Sequence, residues 1–146
     1  MMWFDKTNPS AVFLDRRNER IELCDGRTFE VKPDVLGDWC ELPFADGSFS
    51  LVVFDPPHYE KIGKSAWVAK KYGRLLPGWR EEFREAGREA MRVLKPNGVL
   101  VFKWSDAEIP LRDAIEAIGL RPLFGQTRDG AKRTHWVCYM KGISDR

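Results

Sequence analysis

The run Phe49-Ser-Leu-Val-Val-Phe54-Asp55-Pro56-Pro57 constrains the fold of this chain more than any other feature. From Leu51 to Phe54 every residue is apolar, so no side of the segment is suited to water. Such a run fits a strand of a parallel sheet covered on both faces. Pro56 and Pro57 end it, because neither can donate to a ladder and each fixes φ. A second run, Ala11-Val-Phe-Leu-Asp15, has the same character and also ends in an acid. Asp15 and Asp55 are therefore expected at the carboxyl ends of buried strands.

The rest of the chain alternates in kind. Residues 19–31 carry strand-like alternation around Asp25-Gly26, a hairpin signal. From Trp79, the apolar residues Trp79, Phe83, Ala86, Ala90, Met91 and Leu94 recur at helical spacing, with Glu81 and Glu82 in the first turn and Arg92 and Lys95 in the last. Lys95-Pro-Asn-Gly98 is expected to stop that helix. Residues 99–104 read as a strand, 109–119 as a helix, and the ends of 120–140 as a closing antiparallel hairpin around Asp129-Gly130. The predicted fold class is α/β, with an open, mostly parallel sheet and an antiparallel C-terminal edge strand. Ligands of such sheets collect beyond the carboxyl ends of the strands, where Asp15, Asp38 and Asp55 belong.

The chain has 146 residues, 43% hydrophobic and 32% charged, which fits one ordinary globular domain over 1–146. No apolar run approaches a membrane span, and Asp5 and Lys6 fall where an export signal would be apolar, so the expected compartment is the cytoplasm. Cys24, Cys40 and Cys138 are too widely spaced for a disulfide framework or a CxxC site and read as buried reduced thiols. His58 and His135 have no partner at ligand spacing, so no metal site is expected.

Asp55-Pro56-Pro57-His58 has a chemical reading. The lone pair of an aromatic amine is delocalised into its ring, and methylating that nitrogen requires acceptors that draw the pair back onto it. The Asp55 carboxylate and the Pro56 carbonyl supply two acceptors, which also stabilise charge developing on nitrogen. The prolines make the turn rigid, and His58 or Tyr59 offers a ring to stack on a base turned out of its helix. The plainer reading is a proline-rich surface turn after a strand.

The chain resembles the class I S-adenosylmethionine-dependent methyltransferases, specifically amino-methyltransferases with an Asp-Pro-Pro-aromatic motif, and most fully a group of small phage and prophage methyltransferases. The resemblance covers nearly the whole chain. It is carried by MWFDK, VFLDRR, LPFADGSFSLVVFDPPH, FREAGREAMRVLKPNGVLVFKW, PLFG and THWVCYMK. It implies a Rossmann-like sheet, S-adenosyl-L-methionine as cofactor and DNA methylation as the setting. Asp15 would accept from the ribose hydroxyls with Arg16 beside the adenine, Asp38 would hold the adenine amine, and Trp39 would pack on that ring. Asp55 would lie at the cofactor and, with Pro56, Pro57 and His58, form the catalytic turn.

In one respect the chain departs from the family. The family's first strand ends in a glycine-containing loop that approaches the cofactor, whereas no two of the 12 glycines here are closer than five residues. The usual first strand and its loop are therefore expected to be missing, through a misplaced start or natural shortening. Exposed flanks at Val12, Leu14, Val52 and Phe54 would follow, compensated by homo-oligomerisation or partner exchange.

The net charge of +2 announces no nucleic acid, but its distribution is uneven. Residues 56–80 hold Lys61, Lys64, Lys70, Lys71, Arg74 and Arg80 against Glu60, with Trp67, Tyr72 and Trp79 interleaved. Arg121, Arg128, Lys132 and Arg133 face only Asp129 in 121–133. Such stretches suit phosphates and unstacked bases, making nucleic acid the expected partner and His58, Tyr59, Lys64, Trp67, Lys70 and Lys71 its candidate contacts. Residues 65–72 read equally as an amphipathic helix with solvated lysines and a core Trp67. The acceptor is then adenine N6 or cytosine N4, with a protein or small-molecule amine as the alternative. A non-catalytic remnant of the fold is a further reading. A nucleotide hydrolase would need a GxxxxGK[ST] loop, which the sequence does not contain.

Overall fold

The computed structural model describes residues 3–5, 7–22, 26–63, 66–126 and 134–145. They belong to two compact units, Met1–Asp38 and Trp39–Arg146.

The first unit is built from two short ladders. β1 (Leu14–Asp15) runs parallel to β4 (Val35–Leu36), and β2 (Glu19–Glu22) pairs antiparallel with β3 (Thr28–Val31). The expected hairpin is present, and Gly26 takes the positive φ of 79° that its turn requires, while Asp25 lies outside the described residues. The strand expected over 11–15 shortens to two residues. Asp34 accounts for this, because its side chain accepts the Phe13 N–H at 2.9 Å where a ladder carbonyl would otherwise stand.

Among its described residues, the second unit holds a four-stranded sheet and three helices. β5 (Phe49–Phe54) pairs parallel with β6 (Leu94–Ser105), β6 antiparallel with β8 (Thr134–Met140), and β8 antiparallel with β7 (Phe124–Gln126), giving the order β5-β6-β8-β7. Three strands thus share a direction and the C-terminal strand opposes them, as expected, but of the three pairings only β5 with β6 is parallel, so the pairing is not mostly parallel. The edge assignment is corrected, since β8 lies inside the sheet and β7 forms the edge. Alternation explains the difference: His135, Val137 and Tyr139 are buried on one face of β8 while its other face is half-buried, so it needs neighbours on both sides. β7 is short and exposed throughout, as an edge strand is when it does not invite pairing. Gly125 admits it to the sheet, because a Cβ there would meet the Trp136 carbonyl oxygen at 2.8 Å.

α1 (Trp67–Tyr72), α2 (Trp79–Val93) and α3 (Leu111–Ile118) complete the unit. Every apolar position expected on the α2 face is buried. Phe83 sits at the centre of this core, its ring 5.0 Å from Trp79, 5.4 Å from Phe54 and 5.7 Å from Trp104. The helix stops at Val93, but Lys95–Gly98 belong to β6 rather than to a loop, with Asn97 at φ 62° and the β5–β6 register shifting between Phe49 and Leu51.

Val12 is exposed, whereas Leu14, Val52 and Phe54 are half-buried; on β5 the exposed residues are Ser50 and Leu51. Cys40 and Cys138 are free and half-buried, and Cys24 lies outside the described residues. Among the described residues, no helix is long and apolar enough to cross a membrane.

Candidate active site

The Asp55 turn follows directly from the last residue of β5. Phe54 is anchored by its stacking on Phe102 at 5.8 Å and its edge contact with Phe83, so the chain leaves the sheet at a fixed point. Asp55 is then exposed, Pro56 buried, and Pro57, His58 and Tyr59 half-buried. Two other segments hold the turn. Tyr59 offers its carbonyl to the Leu75 N–H at 2.8 Å, and Glu108 Oε2 accepts the N–H groups of Glu60 and Lys61 at 2.8 and 3.0 Å. Gly73, at φ 78°, lets the loop after α1 come close, since a Cβ would sit 3.2 Å from Pro57 Cγ.

Both oxygens of Asp55 accept from Lys103 Nζ on β6, at 2.8 and 2.9 Å. Next to this pair, the His58 ring meets Trp104 edge-on at 5.6 Å and Tyr59 at 6.0 Å. His58 Nδ1 is buried without a hydrogen-bond partner among the described residues. Burial pushes the imidazole below its ordinary value of 6.5; the Asp55 charge opposes this, while Lys103 reinforces it. The ring is consequently neutral near pH 7 and can act as an acceptor or a stacking surface.

Of the aromatics interleaved in the basic segment, Trp67 and Tyr72 face outward, whereas Trp79 is buried in the core. Trp67 is 41% exposed and Tyr72 45%, so Trp67 is not a core residue. Lys71 Nζ lies 4.9 Å from the Trp67 ring centre and 5.1 Å from that of Tyr72, and the Arg80 guanidinium covers Trp79 at 4.4 Å. Lys70 is exposed on the same short helix. Lys64, Arg128, Asp129, Gly130, Lys132 and Arg133 lie outside the described residues.

The acids assigned to the cofactor are found in the first unit, each with an arginine. Asp15 accepts from the Arg17 N–H at 2.9 Å and from its guanidinium at 3.2 Å through each oxygen. Asp38 accepts from Arg16 at 2.7 Å. Both carboxylates remain partly exposed, 35% at Asp15 and 46% at Asp38. A carboxylate has about four acceptor sites, so a hydroxyl donor can be added at Asp15 without displacing the arginine. In that respect Asp15 fits the ribose hydroxyl that the resemblance assigns to it. Trp39 belongs to the second unit, half-buried and edge-on to Phe54 at 5.8 Å.

Lys103, Glu108, Gly73 and Arg17 were not singled out from the sequence. Lys103 did carry a signal, as the single charge inside the apolar run VLVFKW. Glu108 and Gly73 carried none, because their partners lie in distant segments.

No family model matches the chain, and no curated protein does. Solved structures do. The PH0226 protein of Pyrococcus horikoshii superposes with a TM-score of 0.51 at 16% identity, over 73% of this chain and 58% of that one. A candidate DNA modification methylase of Thermus thermophilus gives a TM-score of 0.47 at 22% identity, over 75% of this chain and 53% of that one. A SAM-dependent methyltransferase of Methanosarcina mazei gives 0.46 at 12% identity, over 80% and 70%. The chain thus spans between half and three fifths of the length of the first two. With the Pyrococcus protein it shares an α/β fold.

Proposed function

We propose that this protein is an S-adenosylmethionine-dependent N-methyltransferase acting on the exocyclic amine of a nucleic-acid base, adenine N6 or cytosine N4. The observation that carries the reading is the Asp55–Pro56 turn, an exposed carboxylate beside a proline carbonyl at the carboxyl end of an apolar strand. Asp55 and the Pro56 carbonyl accept the two amine N–H groups, which draws the nitrogen lone pair out of conjugation and stabilises the positive charge that builds there. Pro57 keeps the turn rigid, and His58 with Tyr59 offers ring faces for the flat acceptor. Asp15 and Asp38 are the residues that would hold the ribose and adenine of the cofactor. When bound, S-adenosylmethionine supplies an electrophilic methyl group on a positively charged sulfur, which leaves as a neutral thioether. The exposed Trp67, Tyr72 and Lys70, with the half-buried Lys71 beside them, support a polyanionic acceptor with free bases.

The test is transfer of a labelled methyl group from S-adenosylmethionine to single- and double-stranded DNA and to RNA, followed by digestion to nucleosides. Label in N6-methyladenine or N4-methylcytosine is the expected result. Label found only in protein would move the acceptor to a protein amine while keeping the turn's role. The arginine partners of Asp15 and Asp38 favour a second reading, a non-catalytic relative in which these acids serve structure. No transfer to any acceptor, with no binding of S-adenosylmethionine, is the result that reading expects.

A further inference from the structure

Asp55 must present its lone pairs to an amine, yet a carboxylate on a single methylene turns readily. Lys103 restricts it. Phe102 pairs in register with Phe54, so the next residue on each strand, Lys103 and Asp55, are cross-strand neighbours at the sheet's carboxyl edge. Phe102 and Trp104 on either side of Lys103 are completely buried, whereas the Lys103 side chain is 23% exposed and ends on both Asp55 oxygens. A solvated lysine would leave its ammonium in water; this one is committed to one carboxylate.

We propose that Lys103 is a positioning residue for the methyl-transfer reaction. Its ammonium takes one acceptor site on each Asp55 oxygen and so fixes the plane of the carboxylate, leaving the remaining sites for the acceptor amine. The inference rests on the methyltransferase reading, and it assigns to β6 a part in orienting the group that β5 delivers. A lysine that only tied β5 to β6 would affect stability and leave turnover per folded molecule unchanged.

The experiment compares wild type, Lys103→Met and Lys103→Arg in methyl transfer from labelled S-adenosylmethionine to mixed-sequence DNA, and follows the His58 imidazole by proton NMR across pH. In Lys103→Met, kcat falls about tenfold or more while KM for S-adenosylmethionine is unchanged, and Lys103→Arg recovers most of the loss. The His58 midpoint rises in Lys103→Met, because the Asp55 charge then acts on the ring unopposed, and returns towards wild type in Lys103→Arg. Wild-type kcat in Lys103→Met, or an unmoved His58 midpoint, overturns the proposal. Should Lys103→Met fail to fold, Lys103→Gln takes its place in both measurements, with the same results expected and the same results overturning the proposal. A wild-type protein that transfers no methyl group removes the reaction itself, and the His58 titration then shows separately whether the Lys103–Asp55 contact exists.

Discussion

At the scale of the residue, the surroundings of one carboxylate decide what the turn after β5 can do. Asp55 is exposed enough to meet a ligand and is held by Lys103, with the neutral ring of His58 beside it. Asp55→Ala removes an acceptor needed only once charge builds on the amine nitrogen, so kcat should drop about a hundredfold or more while S-adenosylmethionine affinity stays within about twofold. Single-turnover transfer and calorimetry on the same preparation check the two halves; turnover retained in Asp55→Ala would take the turn out of the chemistry. The acid, the prolines and the ring were legible in the sequence because strand and turn chemistry are local. Their partners were not. Asp55 and Lys103 are 48 positions apart, as are Glu60 and Glu108, and only the parallel pairing of β5 with β6 brings the first pair together.

At the scale of the element, α2 and the segment before β5 form a second ion-paired assembly. Arg92 donates to Glu89 and Asp46 and to the carbonyls of Leu42 and Phe44, and Glu89 accepts the Leu42 N–H at 2.9 Å. Glu89 is 5% exposed, and its hydrogen bonds with Arg92 hold its carboxyl below the ordinary value of 4.5. A depressed carboxyl contributes stability that is present above its unfolded value and lost as pH falls through its folded value. Glu89→Gln should therefore cost about 1–3 kcal/mol at neutral pH, with the gap to wild type narrowing below about pH 4.5. Urea unfolding across pH measures this, and a gap that does not change with pH would place the effect elsewhere. The helical face of α2 was readable from its period, but this polar assembly was not, because Glu89 and Arg92 look like solvated charges in the sequence. α1 shows the reverse case, since Lys70 and Trp67 are exposed as a binding face requires, while Lys71 is half-buried. Lys70→Glu with Lys71→Glu should lower the slope of log affinity against log salt for single-stranded DNA by about two phosphate contacts. An unchanged slope would make that helix an ordinary solvated surface.

At the scale of the molecule, the two units differ in how they are built. Among the described residues, every fully buried apolar side chain lies in the second unit, where α2, α3 and the sheet enclose a single aromatic-rich core. The first unit consists of short ladders whose described residues are at most half-buried. Strand directions could be read from the sequence, because helical connections imply parallel pairs and a tight hairpin implies an antiparallel one. Strand order could not, as nothing local shows that the last strand inserts between β6 and β7. Calorimetric titration of S-adenosylmethionine into wild type and Asp15→Ala tests the assignment of the first unit's acids to a nucleoside cofactor. Saturable one-to-one binding by wild type is expected, weakened about tenfold or more when Asp15 loses its carboxylate. No binding by wild type, or equal binding by the two proteins, would contradict that assignment.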